Sequence, residues 1–227
     1  MTTSPIQPKL IYLTRRHPAL TRPGFTARWR QHAALGMSRP RWSNIARYAH
    51  CDIVDPPAEL RDVLSDHDGI GLIWHRSPAH RRAHLADTTS RAEMEADELA
   101  TFAEPIVRHC LVACESTRLA PPAETGGAAK LTCFHWGDAP GGREPSASVD
   151  LQGLLGHLVN EPLPPERPSG WGLSCDVIEE FWFGSQAAAV HGARALSRVP
   201  GRTILVLSNQ IELYRAAGDD PHFAPAD

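Results

Sequence analysis

Short apolar runs alternate with amphipathic stretches along the first half of the chain. Residues 9–16, KLIYLTRR, form a β-favouring run that breaks at His17-Pro18, which predicts a short strand followed by a turn. Thr21 can cap a helix next, and Pro23 is tolerated in its first turn. Phe25, Trp29 and His32 then recur at i, i+4 and i+7, so they share one helical face. Gly36 marks the expected stop. Residues 45–54, IARYAHCDIV, read as a second strand closed by Asp55-Pro56-Pro57, and residues 69–76, GIGLIWHR, as a third. Ser77-Pro78 supplies a cap and a first-turn proline for the helix SPAHRRAHLA. Ser90 with Glu93 makes a capping-box pattern ahead of a further helix. Residues 106–117, IVRHCLVACEST, complete the set as a fourth strand. The order β-α-β-β-α-β is the split βαβ, or ferredoxin-like, arrangement. Its helices cover one face of an antiparallel sheet, and the other face must be buried against something else.

A partner for that face is present in the same chain. After a linker-like stretch at 120–129, APPAETGGAA, the segment KLTCFHW (130–136) repeats the character of KLIYLTR (9–15). CDVIEEFWFGSQAA (175–188) likewise matches HDGIGLIWHRSPAH (67–80), with about 13 residues fewer between the two strands. TILVLSNQIELYR (203–215) is the expected last strand. The segments at 138–148 and 160–170 are rich in proline and glycine and read as loops. They fall where the first half has its helix start and its second strand. VDLQGLLGHLV (149–159) carries His157 without the aromatic partners of the first helix. The expected organisation is α+β: a ferredoxin-like domain over 1–119, a linker over 120–129, and a degenerate ferredoxin-like domain over 130–227. The two sheets can pack against each other within one chain.

Composition narrows the class. Hydrophobic residues make up 42% and charged residues 22% of the 227 positions, an ordinary balance for a globular protein with a packed core. The net charge of −3 and the dispersed arginines lack the footprint of a nucleic-acid binder. Five cysteines form no CxxC pair, which reads as reduced thiols in a cytoplasmic protein. The first residues do not form an export signal, and no apolar run approaches the length of a membrane span.

The segment YLTRRHPALTRPGFTARWRQHAAL resembles the opening of EthD-type proteins of the dimeric α+β-barrel superfamily. Those proteins begin with a strand, an arginine-containing turn and a capped helix bearing an aromatic–Trp–x–x–His pattern. RYAH resembles their second strand, and DGIGLIWHRSPA their Asp-Gly third strand. The likeness covers about residues 9–117. It implies two ferredoxin-like units in tandem forming an intramolecular version of a dimeric α+β barrel, with a pocket between helices and sheet. It also implies a small, usually cofactor-independent protein, in a superfamily that includes cyclases, dehydratases, isomerases, cofactor-free monooxygenases and some haem enzymes. Fold does not select among these.

The candidate chemistry centres on His32. Sharing a face with Phe25 and Trp29 points it inward, where a histidine is a natural general acid or base. A histidine there can equally be a hydrogen-bonded partner of the sheet. Tyr48, His50 and Asp52 alternate along one strand and so share a face. They are either a buried polar row or, together with His32, a site in which a tyrosine steadies an oxyanion. The family's histidine further along this strand falls at Asp52. His75 ends the third strand, and its counterpart in the repeat is Phe183, so the repeat does not require a histidine there. Trp74 and its counterpart Trp182 are read as packing between the halves or as substrate stacking. Arg15, Arg16 and His17 lie at the strand-to-helix turn, where they can bind a carboxylate or phenolate. His80 and His84 stand at i, i+4 but lack the glutamate of HExxH, so no metal site is assigned. The expected function is a cofactor-independent lyase, cyclase or isomerase acting on an oxygenated hydrophobic small molecule. His32 is its base, His50 or His75 the partner acid, and Tyr48 the oxyanion donor. Arg16, Phe25, Trp29, Asp52 and Trp74 are expected to bind substrate. Alternatives are a cofactor-free monooxygenase of an activated phenol, and a non-catalytic small-molecule-binding protein of an oxidative pathway. Haem is the alternative cofactor, and pairing of two chains into a homodimer stays open.

Overall fold

The computed structural model describes residues 7–55, 57–123, 128–137, 146, 149–164 and 172–217. In the first half, β1 (Pro8–Thr14), β2 (Ile45–Ile53), β3 (Gly69–His75) and β4 (Cys110–Leu119) are strands. Helix α1 (Arg22–Met37) follows β1, and α2 (Pro78–Ala86) and α3 (Arg91–Thr101) follow β3. In the second half, β5 (Ala129–Trp136), β6 (Leu154–Pro162) and β7 (Val177–Phe183) lead to α4 (Gln186–Leu196) and β8 (Arg202–Arg215). The strands close into a barrel in the order β1-β3-β2-β8-β5-β7-β6-β4, and every pairing is antiparallel. Both halves run in one order, β4-β1-β3-β2 and β8-β5-β7-β6. They join edge to edge through β2–β8 and β4–β6, which leaves no strand edge open. The architecture is therefore mixed α+β, a closed eight-stranded antiparallel barrel with four α-helices among the described residues. Among the described residues no helix is long and apolar enough to cross a membrane.

The sheet faces that the sequence leaves in need of cover meet inside the barrel. Ile11, Leu13, Ala49, Leu72, Phe134 and Val206 belong to that core. Beside them lie two fully buried lysines, Lys9 and Lys130. Lys9 faces Trp74 across β1–β3, and Lys130 faces Trp182 across β5–β7. Each ammonium sits 4.7 Å from the centre of that tryptophan ring. Both ammonium groups bind Glu180. Lys9 also reaches Glu115 at 2.6 Å, and Lys130 donates to Gln210 at 2.5 Å. Asn160 Nδ2 donates to Glu180 at 2.9 Å. Buried charges survive only when paired and hydrogen-bonded in this way.

Local signals account for most helix starts. Thr21 accepts from the Gly24 amide and Ser77 from the His80 amide, each relieving an unpaired donor of a first turn. Four expectations need correction. Gly36 does not stop α1. It lies on the buried face, where a Cβ would come 3.5 Å from Trp42 and 3.6 Å from Met94, and Ser38 caps the helix instead. Ser90 precedes α3, but its hydroxyl makes no capping bond, and Glu93 pairs with Arg39 instead of closing a capping box. Residues 106–108 form a 3-10 turn after Pro105, and the fourth strand starts at Cys110. Residues 154–162 are strand β6, so His157 stands on a strand, and the 160–170 segment begins inside that strand rather than as a loop. The 165–170 portion, most of 138–148 and linker residues 124–127 lie outside the described residues.

Candidate functional site

Helix α1 covers the outer face of the first half's sheet with Phe25, Trp29, His32, Ala33 and Gly36. Phe25 stacks on Trp29 with ring centres 5.4 Å apart, and Trp29 stacks on His50 at 3.6 Å. The glycines of β3 make this approach possible. A Cβ on Gly69 would strike the Trp29 ring, and one on Gly71 would overlap the ring of Tyr12, its direct partner on β1. Between this sheet face and helices α1, α2 and α3 lies a cavity of about 750 Å³. Leu10, Tyr12, Tyr48 and Ile73 line it from the sheet, His32 and Ala33 from α1, and Met94 and Glu98 from α3.

Two hydrogen-bonded chains end at this cavity. In the first, His32 Nδ1 lies 2.6 Å from Asp97 Oδ2 on α3, and Arg28 binds the same carboxylate. A carboxylate acceptor fixes the proton on Nδ1, so Nε2 carries the lone pair. That nitrogen has no hydrogen-bond partner among the described residues. Burial pushes the His32 pKa below its ordinary value of 6.5. Asp97 opposes that shift, while Arg28 and Arg41 reinforce it. His32 is thus a neutral, oriented base at neutral pH. Burial also disfavours ionised Asp97, but Arg28 and His32 outweigh it and hold the carboxyl below its usual range.

In the second chain, Arg30 donates to His50 Nδ1 and to Asp52. An arginine only donates, so Nδ1 of His50 accepts and Nε2 carries the proton. Nε2 lies 2.5 Å from Tyr48 Oη, which is 3.0 Å from Tyr12 Oη. Burial, followed by the charge of Arg30, holds the His50 pKa well below 6.5. Burial also raises both tyrosines, Tyr12 to about 12. Both phenols therefore keep their protons. His50 donates into the pair, one phenol proton bridges the rings, and the other is available to an oxygen in the cavity.

Of the residues singled out by sequence, His32 and Tyr48 line the cavity and His50 stands one hydrogen bond behind Tyr48. Asp52 holds Arg30. Phe25 and Trp29 are packed beneath α1 and do not line the cavity. His75 lies beyond it, buried with its ring 5.3 Å from that of His84 and its pKa lowered by burial to about 3. Trp74 faces the barrel interior under Lys9 and Arg47. Arg16 is held by Asp68 and by the Leu20 carbonyl at 3.1 Å, and Arg15 by Asp66 at 2.6 Å, so neither guanidinium is available at the cavity. Tyr12, Arg41, Asp97 and Glu98 carry no signal of their own in the sequence, and His84 stands out there only through its spacing from His80. Strand alternation already placed Tyr12 on the face of Leu10 and Thr14. No periodicity connects Asp97 to a histidine 65 residues earlier. Among the described residues no group of three or more His, Cys, Asp or Glu side chains could hold a metal ion.

Among solved structures the chain is similar to an anthrone oxidase-like protein, with a TM-score of 0.59 and 14% identity over 93% of this chain and 96% of that one. A chlorite dismutase variant from Candidatus Nitrospira defluvii has a TM-score of 0.48 and 11% identity, over 91% of this chain and 92% of that one. No family model matches the sequence, and no curated protein matches it. At these identities the likeness defines the fold alone. The chain has the dimeric α+β-barrel fold, closed here within one polypeptide.

Proposed function

We propose that the chain is a tandem pair of EthD-like ferredoxin-like units, and that the first unit is a cofactor-independent lyase, cyclase or isomerase for an oxygenated, largely apolar small molecule. The shared strand order and the matching Lys–Trp pairs support the tandem reading. The observation that carries the function is the Asp97–His32 dyad and the Tyr48–Tyr12 pair lining one cavity. His32 Nε2 takes a proton from a carbon beside a carbonyl, or from a phenol. Negative charge then grows on the substrate oxygen and is met by the free phenol proton. Asp97 stabilises the imidazolium, which returns its proton to a departing hydroxyl, as water, or to the newly formed ring. His50, with both nitrogens engaged, orients Tyr48 instead of moving the proton, and His75 has no part in this scheme.

A second reading is favoured by the likeness to an anthrone oxidase-like protein: the same carbanion passes its electrons to molecular oxygen, giving a cofactor-free monooxygenase. Incubation with anthrones and β-keto phenols, followed by absorbance and an oxygen electrode, separates the two. Turnover without oxygen uptake supports the lyase or isomerase, and stoichiometric uptake supports the monooxygenase. Binding without turnover would leave a non-catalytic carrier. Haem needs an axial nitrogen with a free lone pair, and His32 Nε2 fits that requirement. A Soret band on haem titration that disappears in His32→Ala would replace the cofactor-independent reading.

A further inference from the structure

We propose that Arg41 is the anion-recognition residue of this cavity, and that the ligand is an aromatic or polyketide-type carboxylic acid whose carboxylate docks on that guanidinium. The inference rests on the reading of the cavity as the substrate site.

Arg41 lies in the 3-10 turn Pro40–Asn44 that joins α1 to β2, and its side chain lines the cavity. Its Nε is buried without a partner, and the guanidinium makes no hydrogen bond or ion pair among the described residues. That sets it apart from its neighbours. Arg15, Arg16, Arg22, Arg28, Arg30, Arg39 and Arg47 each hold an aspartate or glutamate. Burial disfavours the charged form of Arg41, and an anion supplied by a ligand would offset that cost. The surroundings are positive on one side. Arg81 of α2 lines the same cavity and Arg91 adds its charge, while His84 beside them is neutral at ordinary pH. Asp87 and Glu98 are the opposing carboxylates that Arg41 feels. Asp87 is taken up by Thr89, whose amide and hydroxyl both donate to it. Glu98 accepts the Ile106 amide, burial raises its pKa, and it makes no ion pair with Arg41.

The rest of the wall selects the ligand's body. Leu10, Trp42, Ile73, Leu85 and Met94 offer apolar surface, suited to fused rings rather than to a phosphate or sugar. A planar guanidinium fork matches a carboxylate with two parallel hydrogen bonds. The arrangement also couples binding to chemistry. Arg41 is among the charges that disfavour protonation of His32, so a carboxylate seated on it strengthens the base as substrate arrives.

The test uses the full chain and a matched pair of probes, anthracene-2-carboxylate and its uncharged carboxamide, titrated calorimetrically at neutral pH. Wild type is expected to bind the carboxylate roughly tenfold or more tightly than the carboxamide, as a charge-assisted hydrogen-bonded pair gives. Arg41→Met should abolish that preference with carboxamide affinity unchanged, and Arg41→Lys should keep part of it. Because the Arg41 guanidinium makes no ion pair among the described residues, neither variant removes one there. Equal binding of the two probes by wild type, or a preference that survives in Arg41→Met, overturns the inference and leaves the cavity reading intact. Binding of neither probe overturns both.

Discussion

The outer sheet faces of the two halves share one strand frame and carry opposite contents. In the first, Tyr12 faces Gly71 and Tyr48 faces Ile73. In the second, the corresponding pairs are Cys133 with Glu179 and His157 with Phe181. Glycine at 71 leaves the space into which the Tyr12 ring lies, and the two phenols then reach the cavity. Glutamate at 179 fills the equivalent place. Its buried carboxylate takes the Ser146 hydroxyl at 2.5 Å and His157 Nε2 at 3.0 Å, while His157 stacks on Phe181. Helix α4 closes over neighbouring positions with Ala189, Ala193 and Leu196 against Leu131, Phe181 and Phe183. The difference teaches that the barrel supplies a platform, and the residue at one β3 or β7 position decides whether that platform is open or filled. The interior is unequal too. Glu180 binds both lysines, while its first-half counterpart by register, Leu72, carries no charge.

The sharpest way to break the comparison is to remove one histidine from each half. His32→Ala should lower turnover by roughly 10²–10⁴-fold, the usual contribution of a positioned general base, whereas His157→Ala should leave the rate per folded molecule unchanged. Comparable losses in steady-state assays of the two variants would defeat the assignment. Glu180→Gln comes next. It leaves the buried ammonium groups of Lys9 and Lys130 short of one negative charge, which should cost about 3–5 kcal/mol in urea unfolding. Gly71→Ala tests the platform itself. Overpacking against Tyr12 should cost about 1–3 kcal/mol and weaken ligand binding in the cavity. An alanine variant of wild-type stability and affinity would show that Gly71 is not what opens the site.

The pH response tests the titratable groups of both halves at once. His67 and His75 are buried and His84 half-buried, and desolvation lowers their pKa values to about 4, 3 and 4 from an ordinary 6.5. Below about pH 6.5 the unfolded chain binds protons that these folded imidazoles refuse, so stability should fall as pH drops from there towards 3–4. Glu180 acts at the acid end of that window. Burial opposes its ionisation, but Lys130 and Lys9 prevail and depress its pKa. Its contribution is full above the ordinary glutamate range near 4.3 and is lost as pH falls further. Thermal melts between pH 8 and pH 4 check the imidazoles, and extending them to pH 2 checks Glu180; a flat profile would count against the neutral imidazoles.

How much of this is legible in the sequence depends on the range of the interaction. Strands β1, β2, β3, β5, β7 and β8 and the cap of α1 follow from alternation, turn residues and a threonine placed before a proline, all of which act within a few residues. Strand β6 is hidden in the sequence because LLGHLVNEP lies between proline- and glycine-rich segments and stands where the first half has its helix. His32 stood out through the spacing of its aromatic neighbours, although Phe25 and Trp29 turned out to be packing that supports the site instead of lining it. His75 and Trp74 look equally suggestive in sequence. The end of the strand carries one beyond the cavity and the pleat turns the other into the barrel.

By itself the sequence determined most of the strands, the inward face of α1 and the shared face of Tyr48 and His50, because periodicity along a chain dictates direction. Only the tertiary structure decided that Asp97 orients His32, that Arg30 sets the tautomer of His50, that the Arg41 guanidinium has no ion pair among the described residues, and that two lysines from different halves share Glu180. Each of these depends on distances between segments remote in sequence, and closing the barrel is what sets those distances.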